Sequence, residues 1–169
     1  QVNVRGGDAT FVLQRLSIDG LSISNSNLHV LTSQDWNIGH ADISGNAMLR
    51  QNGADTVVNT YGDLLVGGRL DVQANGKVEG DQADVNGSID FTVGSAELGS
   101  VLSRTDSMQL FAGNHFAANN LQTPQGAINL EAGTASIYKA STAGTLDMLT
   151  HGDMQLTWGN SGDNMRLIS

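Results

Sequence analysis

Apolar and polar residues alternate in short runs along this chain, and the runs recur. In Gly68-Arg69-Leu70-Asp71-Val72-Gln73-Ala74-Asn75-Gly76, Leu70, Val72 and Ala74 fall on one side of an extended backbone, with Arg69, Asp71 and Gln73 on the other. Asn-Gly then turns the chain, as expected for a strand with one buried face. The same frame returns at Ile89–Val93, Met108–Ala112, Ile128–Ala132, Leu146–Thr150 and Met165–Ser169. It can be followed backwards, less cleanly, to Ala47–Leu49, Leu28–Val30 and Ala9–Phe11.

The first inward residues of these frames stand at 9, 28, 47, 70, 89, 108, 128, 146 and 165, with spacings of 19, 19, 23, 19, 19, 20, 18 and 19. A fixed period near 20 without a helical pattern is the signature of a solenoid, in which each turn of chain is one coil. The predicted fold is therefore all-β, a parallel β-helix of about nine coils, roughly 19–20 residues per coil, with three short strands in each. Stacking at about 4.8 Å per coil makes a rod of about 40 Å. Three inward columns follow. One runs from Ala9 through Leu70 to Met165, and the next from Phe11 through Val72 to Leu167. The third, from Leu13 through Ala74 to Ser169, is smaller, and Gln51 is its awkward member, expected to be displaced.

Second and third strands are expected at Leu16–Ile18, Leu21–Ile23, Ala41–Ile43, Leu64–Val66, Ala83–Val85, Ala96–Leu98 and Ala135–Ile137, with Trp36 and Ile38 pointing inward. The coil that starts at Ala47 is about four residues longer than the others. Its extra chain, within 52–61, should bulge out as a loop while the flanking coils keep register.

Composition narrows the picture. With 169 residues the chain forms one domain, residues 1–169, large enough to bury roughly 70% of its unfolded surface. Its 21 Gly and single Pro, with few aromatic and charged residues, suit strands and turns. The net charge of −9 argues against nucleic acid or anionic lipid as partners, since both call for basic patches. Cysteine is absent, so there are no disulfides, thiolate metal sites or cysteine nucleophile. No apolar run reaches the ~18 residues of a membrane span. Neither end carries a polar cap or a covering helix, which leads us to expect an interior fragment of a longer chain.

The recurrent Gly-x-Leu-x-Val-x-Ala-x-Gly frame, as in Gly68 to Gly76 and Gly126 to Gly133, resembles the repeats of the filamentous haemagglutinin family. These are long bacterial surface proteins exported by two-partner secretion, a group that includes the sticks of contact-dependent growth-inhibition toxins. The resemblance covers most of the chain, best between about 62 and 150. It implies a right-handed parallel β-helix, passage through an outer-membrane transporter, and a secreted, cell-surface location linked to virulence and cell adhesion. The family's N-terminal secretion domain is not evident, so an interior shaft segment is implied. The repeats of this family carry no catalytic motif that could be transferred.

Candidate chemistry is confined to the outer face. The polar column between the first two core columns reads Thr10, His29, Met48, Asp71, Asp90, Gln109, Asn129, Asp147 and Arg166. Asp71 and Asp90 should lie one coil apart, near enough for repulsion to raise one pKa or for a calcium ion to be held. Parallel β-helix enzymes that cleave acidic polysaccharides use clustered aspartates on such a face, while the plainer reading is a solvated polar row. Phe111 stands outward one position further along, among polar neighbours, where it could stack on a sugar ring or meet a partner. The candidate binding surface is thus Asp71, Asp90, Gln109, Phe111, Asn129 and Asp147. His29, His40, His115 and His151 lack metal-ligand spacing, and no nucleophile elbow, Walker loop or dinucleotide fingerprint is present. No catalytic residue, metal or cofactor is expected.

The expected role is a rigid shaft within a secreted bacterial adhesin or toxin-delivery filament, without enzymatic activity. One alternative is a segment that itself engages a receptor or glycan of a host or neighbouring cell, through the 52–61 loop or the Phe111 face. A second is a polysaccharide-cleaving enzyme using Asp71 and Asp90.

Overall fold

The computed structural model describes all residues from Gln1 to Ser169 and contains strands and turns only. Fourteen strands join in one parallel ladder system that winds as a β-solenoid of about nine turns. The register is the one that the spacing demands: Ala9, Leu28, Ala47, Leu70, Ile89, Met108, Ile128, Leu146 and Met165 are successive ladder partners. A one-residue slip would turn every inward side chain outward, so the buried face holds this register strongly.

Each coil has three ladder segments. The first face is built from β2 (Ala9–Leu13), β4 (Leu28–Thr32), β6 (Ala47–Gln51), β12 (Leu146–Thr150) and β14 (Met165–Ile168). The opening residues of β8 (Leu70–Val85), β9 (Ile89–Ser103), β10 (Met108–Thr123) and β11 (Ile128–Thr142) complete it. These four long strands run on round two corners, instead of breaking into three separate pieces as the sequence suggested. At the first corner the register shifts, as between Ala74 and Lys77. At the second, Asp81, Gly99, Asn119 and Tyr138 drop out of the ladder. The second and third faces are completed by β3 (Leu16–Ser24), β5 (Trp36–Ile43), β7 (Val58–Val66) and β13 (Met154–Ser161), with β1 (Val2–Arg5) on β3.

Forty-one buried apolar residues, from Ala9 to Met148, form a single core cluster, and Met154 and Leu156 pack against its end. Trp36 and Ile38 are fully buried within it, as expected. The inward columns lose burial only in the end coils, where Leu13 and Leu167 are 45% and 44% exposed. There an inward side chain has a coil on one side only and is covered less completely.

The enlarged coil departs from expectation in two ways. Six residues, Asn52 to Val57, separate β6 from β7, where Asn75 and Gly76 alone make the same corner one coil later. The loop is therefore shorter than 52–61, and Asn59 and Tyr61 are buried strand residues. Gln51 is not displaced. It stays in register opposite Ala74, 1% exposed, and its Oε1 accepts the N–H groups of Asn75 (3.1 Å) and Gly76 (3.4 Å) while Nε2 donates to Ala54 O (3.4 Å). Asn59 does similar work beside it, accepting from Trp36 N at 3.1 Å and donating to Lys77 O at 3.3 Å. These two amides supply bonds that the interrupted ladder cannot, which is why polar side chains sit in the core here.

Hydroxyls close the turns between the third face and the next coil. Ser103 Oγ donates to Asp106 O at 2.7 Å, Thr123 Oγ1 to the same carbonyl at 2.5 Å, and Ser161 Oγ to Asn164 O at 2.8 Å. Through the first coils an oxygen ladder does the same: Asp8 accepts from Asn27 N, Asn27 from Asn46 N, and Asn46 from Arg69 N, at 3.0, 2.8 and 2.8 Å.

Candidate binding surface

Outward positions of the first face alternate with the core columns, so each candidate residue is set by strand pairing. Asp71, Asp90, Gln109, Asn129, Asp147 and Arg166 form one outward row in consecutive coils, each the ladder partner of the next. Alongside runs a second row, Gln73, Thr92, Phe111, Glu131, Leu149 and Ile168.

Asp71 and Asp90 do lie one above the other, but they do not face each other bare. The Arg69 guanidinium is 2.9 Å from Asp90 Oδ2 and 3.9 Å from Asp71 Oδ2, and Arg50 approaches Asp71 to 3.9 Å. Gln73 Nε2 donates to Asp71 Oδ1 at 3.2 Å. Two guanidinium groups therefore take the place of the repulsion or the calcium ion that the sequence suggested. No group of three His, Cys, Asp or Glu side chains comes together as a metal site. Arg69, two residues before Asp71, reaches both carboxylates, and Arg50 joins it from the coil below.

At the other end of the row, Arg166 grips Asp147 with Nε–Oδ1 at 2.9 Å and Nη2–Oδ2 at 2.6 Å, and this fork holds the guanidinium pKa above its ordinary value. Between the two ion pairs lie Gln109 and Asn129, register partners whose amides take no partner within the chain. Phe111 rises beside them, 43% exposed, with Glu131 next to it. His151 Nε2 lies 3.4 Å from Glu131 Oε1. Asp90, Gln109, Phe111, Asn129 and Asp147 line one open groove of about 280 Å³, together with Leu149 and Arg166. Asp71 lies outside it, in a separate depression with His29, Met48 and Arg69.

A second concavity was not foreseen. It follows the second corner and is lined by Glu79, Asp81, Glu97, Gly99, Ala118 and Tyr138, the last 65% exposed. Lys77 bridges Glu79 and Glu97 at 2.8 and 2.7 Å, and these hydrogen bonds, Glu79 first, raise its pKa. The sequence signal was present in Gly80 and Gly99, glycines within strands, which mark bulges or close backbone approach. At Gly99 a Cβ would fall 2.2 Å from Asp81 O, so the corner excludes a side chain there.

Ion pairs elsewhere also link one coil to the next. Arg15 pairs with Asp35 at 2.5 Å and Arg104 with Asp84 at 2.5 Å, while Lys139 lies 5.0 Å from the Trp158 ring centroid. Most basic residues thus tie neighbouring coils together, and the acidic excess is left to solvent.

Compared with known proteins, the chain matches no family model, no curated protein and no solved structure.

Proposed function

We propose that this chain is a rigid shaft segment of a secreted bacterial surface adhesin or toxin-delivery filament, projecting a binding or effector domain from the cell. The observation that carries this reading is the first-face register, continuous through about nine coils, over one apolar core. Each coil adds about 4.8 Å of length and contacts chiefly its neighbours, so the rod transmits length and stiffness without a cofactor. Cross-coil ion pairs and backbone ladders reinforce the same axis. The repeat frame, similar to filamentous haemagglutinin repeats, supports placing the rod outside a bacterial cell, with export through an outer-membrane transporter.

The test is removal of one whole coil, residues 89–107, from the protein as its native cell makes it. Met108 then takes the place of Ile89 against Leu70, and the chain should be exported, folded and shorter by about 4.8 Å. Removing nine residues, 89–97, puts Ser100 where Phe91 stood and turns Val101 outward, so the faces invert and folding should be abolished. Wild-type protein found only inside the cell, out of reach of externally added protease, would overturn the secretion reading.

A further inference from the structure

We propose that the groove around Phe111 is a binding site for a neutral oligosaccharide. The inference is independent of the shaft reading, since a rod serves as a spacer whether or not its side carries a ligand. It starts from an asymmetry in the outward row. The carboxylates at its two ends are held by arginines, Asp90 by Arg69 and Asp147 by Arg166, whereas the amides of Gln109 and Asn129 between them are without protein partners. An amide offers both a donor and an acceptor, the complement of a sugar hydroxyl, which is also both.

Beside these amides stands Phe111, a large apolar ring 43% exposed on a face otherwise polar at this level. The C–H face of a pyranose ring stacks on an aromatic of this kind, and its hydroxyls then project sideways, toward Gln109 and Asn129. The rows repeat every ~4.8 Å along the rod, close to the length of one hexose unit, so a chain of sugars laid along the axis meets equivalent positions in successive coils. The groove volume, about 280 Å³, lies just below the range of small-ligand clefts and suits a short oligosaccharide better than a protein surface.

Charge selects within this class. Both cations at the groove's ends are taken, Arg69 by Asp90 and Arg166 by Asp147, and Glu131 adds a negative charge, so no free cation remains for an anionic sugar. A sialylated or sulfated glycan would meet like charge on a molecule of net charge −9. A neutral glycan meets no such barrier.

The experiment titrates the 169-residue chain by calorimetry with neutral hexose and N-acetylhexosamine tri- and tetrasaccharides, and in parallel with sialylated and sulfated counterparts. At least one neutral glycan should bind, Phe111→Ala should weaken it about tenfold, and Gln109→Ala should weaken it several-fold. Tyr138→Ala, which removes an exposed aromatic from another face, should leave binding unchanged. All three side chains point outward, so circular dichroism should match the wild type. The proposal is overturned if no neutral glycan binds, if Phe111→Ala binds like wild type, or if the anionic glycans bind more tightly.

Discussion

Tyr61→Phe isolates one buried hydroxyl. Tyr61 is 3% exposed, and its ring occupies the space over its ladder partner Gly80, where a Cβ would fall 2.0 Å from the ring. The hydroxyl has no hydrogen-bond partner in the protein. Burial, with a smaller contribution from the Asp81 charge, pushes the phenol pKa far above its ordinary 10.0. Two consequences follow. At neutral pH the variant loses an unpaired buried polar group and should be more stable than wild type by about 1 kcal/mol. Above pH 10 the wild-type unfolded state releases the phenol proton while the folded state keeps it. The unfolded state then binds fewer protons, so wild-type stability falls as pH rises, by about 1.4 kcal/mol per pH unit. Below pH 10 this contribution is fully present. The gap between variant and wild type should therefore widen by about 2 kcal/mol between pH 10 and 11.5. Urea denaturation of both proteins at pH 7, 10 and 11.5 reads it directly. Groups common to both, such as Lys77 with its glutamates, cancel in the difference. A gap that stays constant across this range, or a variant weaker than wild type at pH 7, would refute the account of Tyr61.

Two further substitutions probe the interior. Phe91→Ala removes a ring that is 1% exposed at the centre of the core and should cost about 4 kcal/mol in urea denaturation, because coils locked by ladders on both sides cannot collapse into the space. Gln51→Ala strips the N–H groups of Asn75 and Gly76 of their acceptor and should cost about 2 kcal/mol, with hydrogen exchange accelerated at those two amides; unchanged exchange there would mean that the enlarged corner is held some other way.

The outward direction of the candidate surface was legible because alternation fixes which face each residue takes. Asp90, Gln109, Phe111, Asn129 and Asp147 belong to neighbouring positions of one repeat frame, and they do line one groove. Asp71 belongs to the same row and lies outside the groove, with Arg50 from one coil below and Arg69 from just before its own strand beside its carboxylate. The identity of an ion-pair partner depends on how long side chains lean between coils, and alternation carries no information on that. The second corner is illegible for a related reason: Gly80 and Gly99 leave room for the Tyr61 ring and the Asp81 carbonyl of the coil below, and alternation carries no trace of such close approach.

Winding, coil length and inward columns are properties of the sequence alone, since a repeat of nineteen or so residues built of one-sided strands can cover its apolar face only by lying against its own next repeat. The neutralised aspartates, the retention of Gln51 and Asn59 in the core, the short course of the inserted loop and the exposure of the end coils were decided in three dimensions. Each depends on which atoms meet across coil boundaries and on whether a buried amide or carbonyl finds a partner there, and residues twenty or more places apart reveal that only once they are stacked.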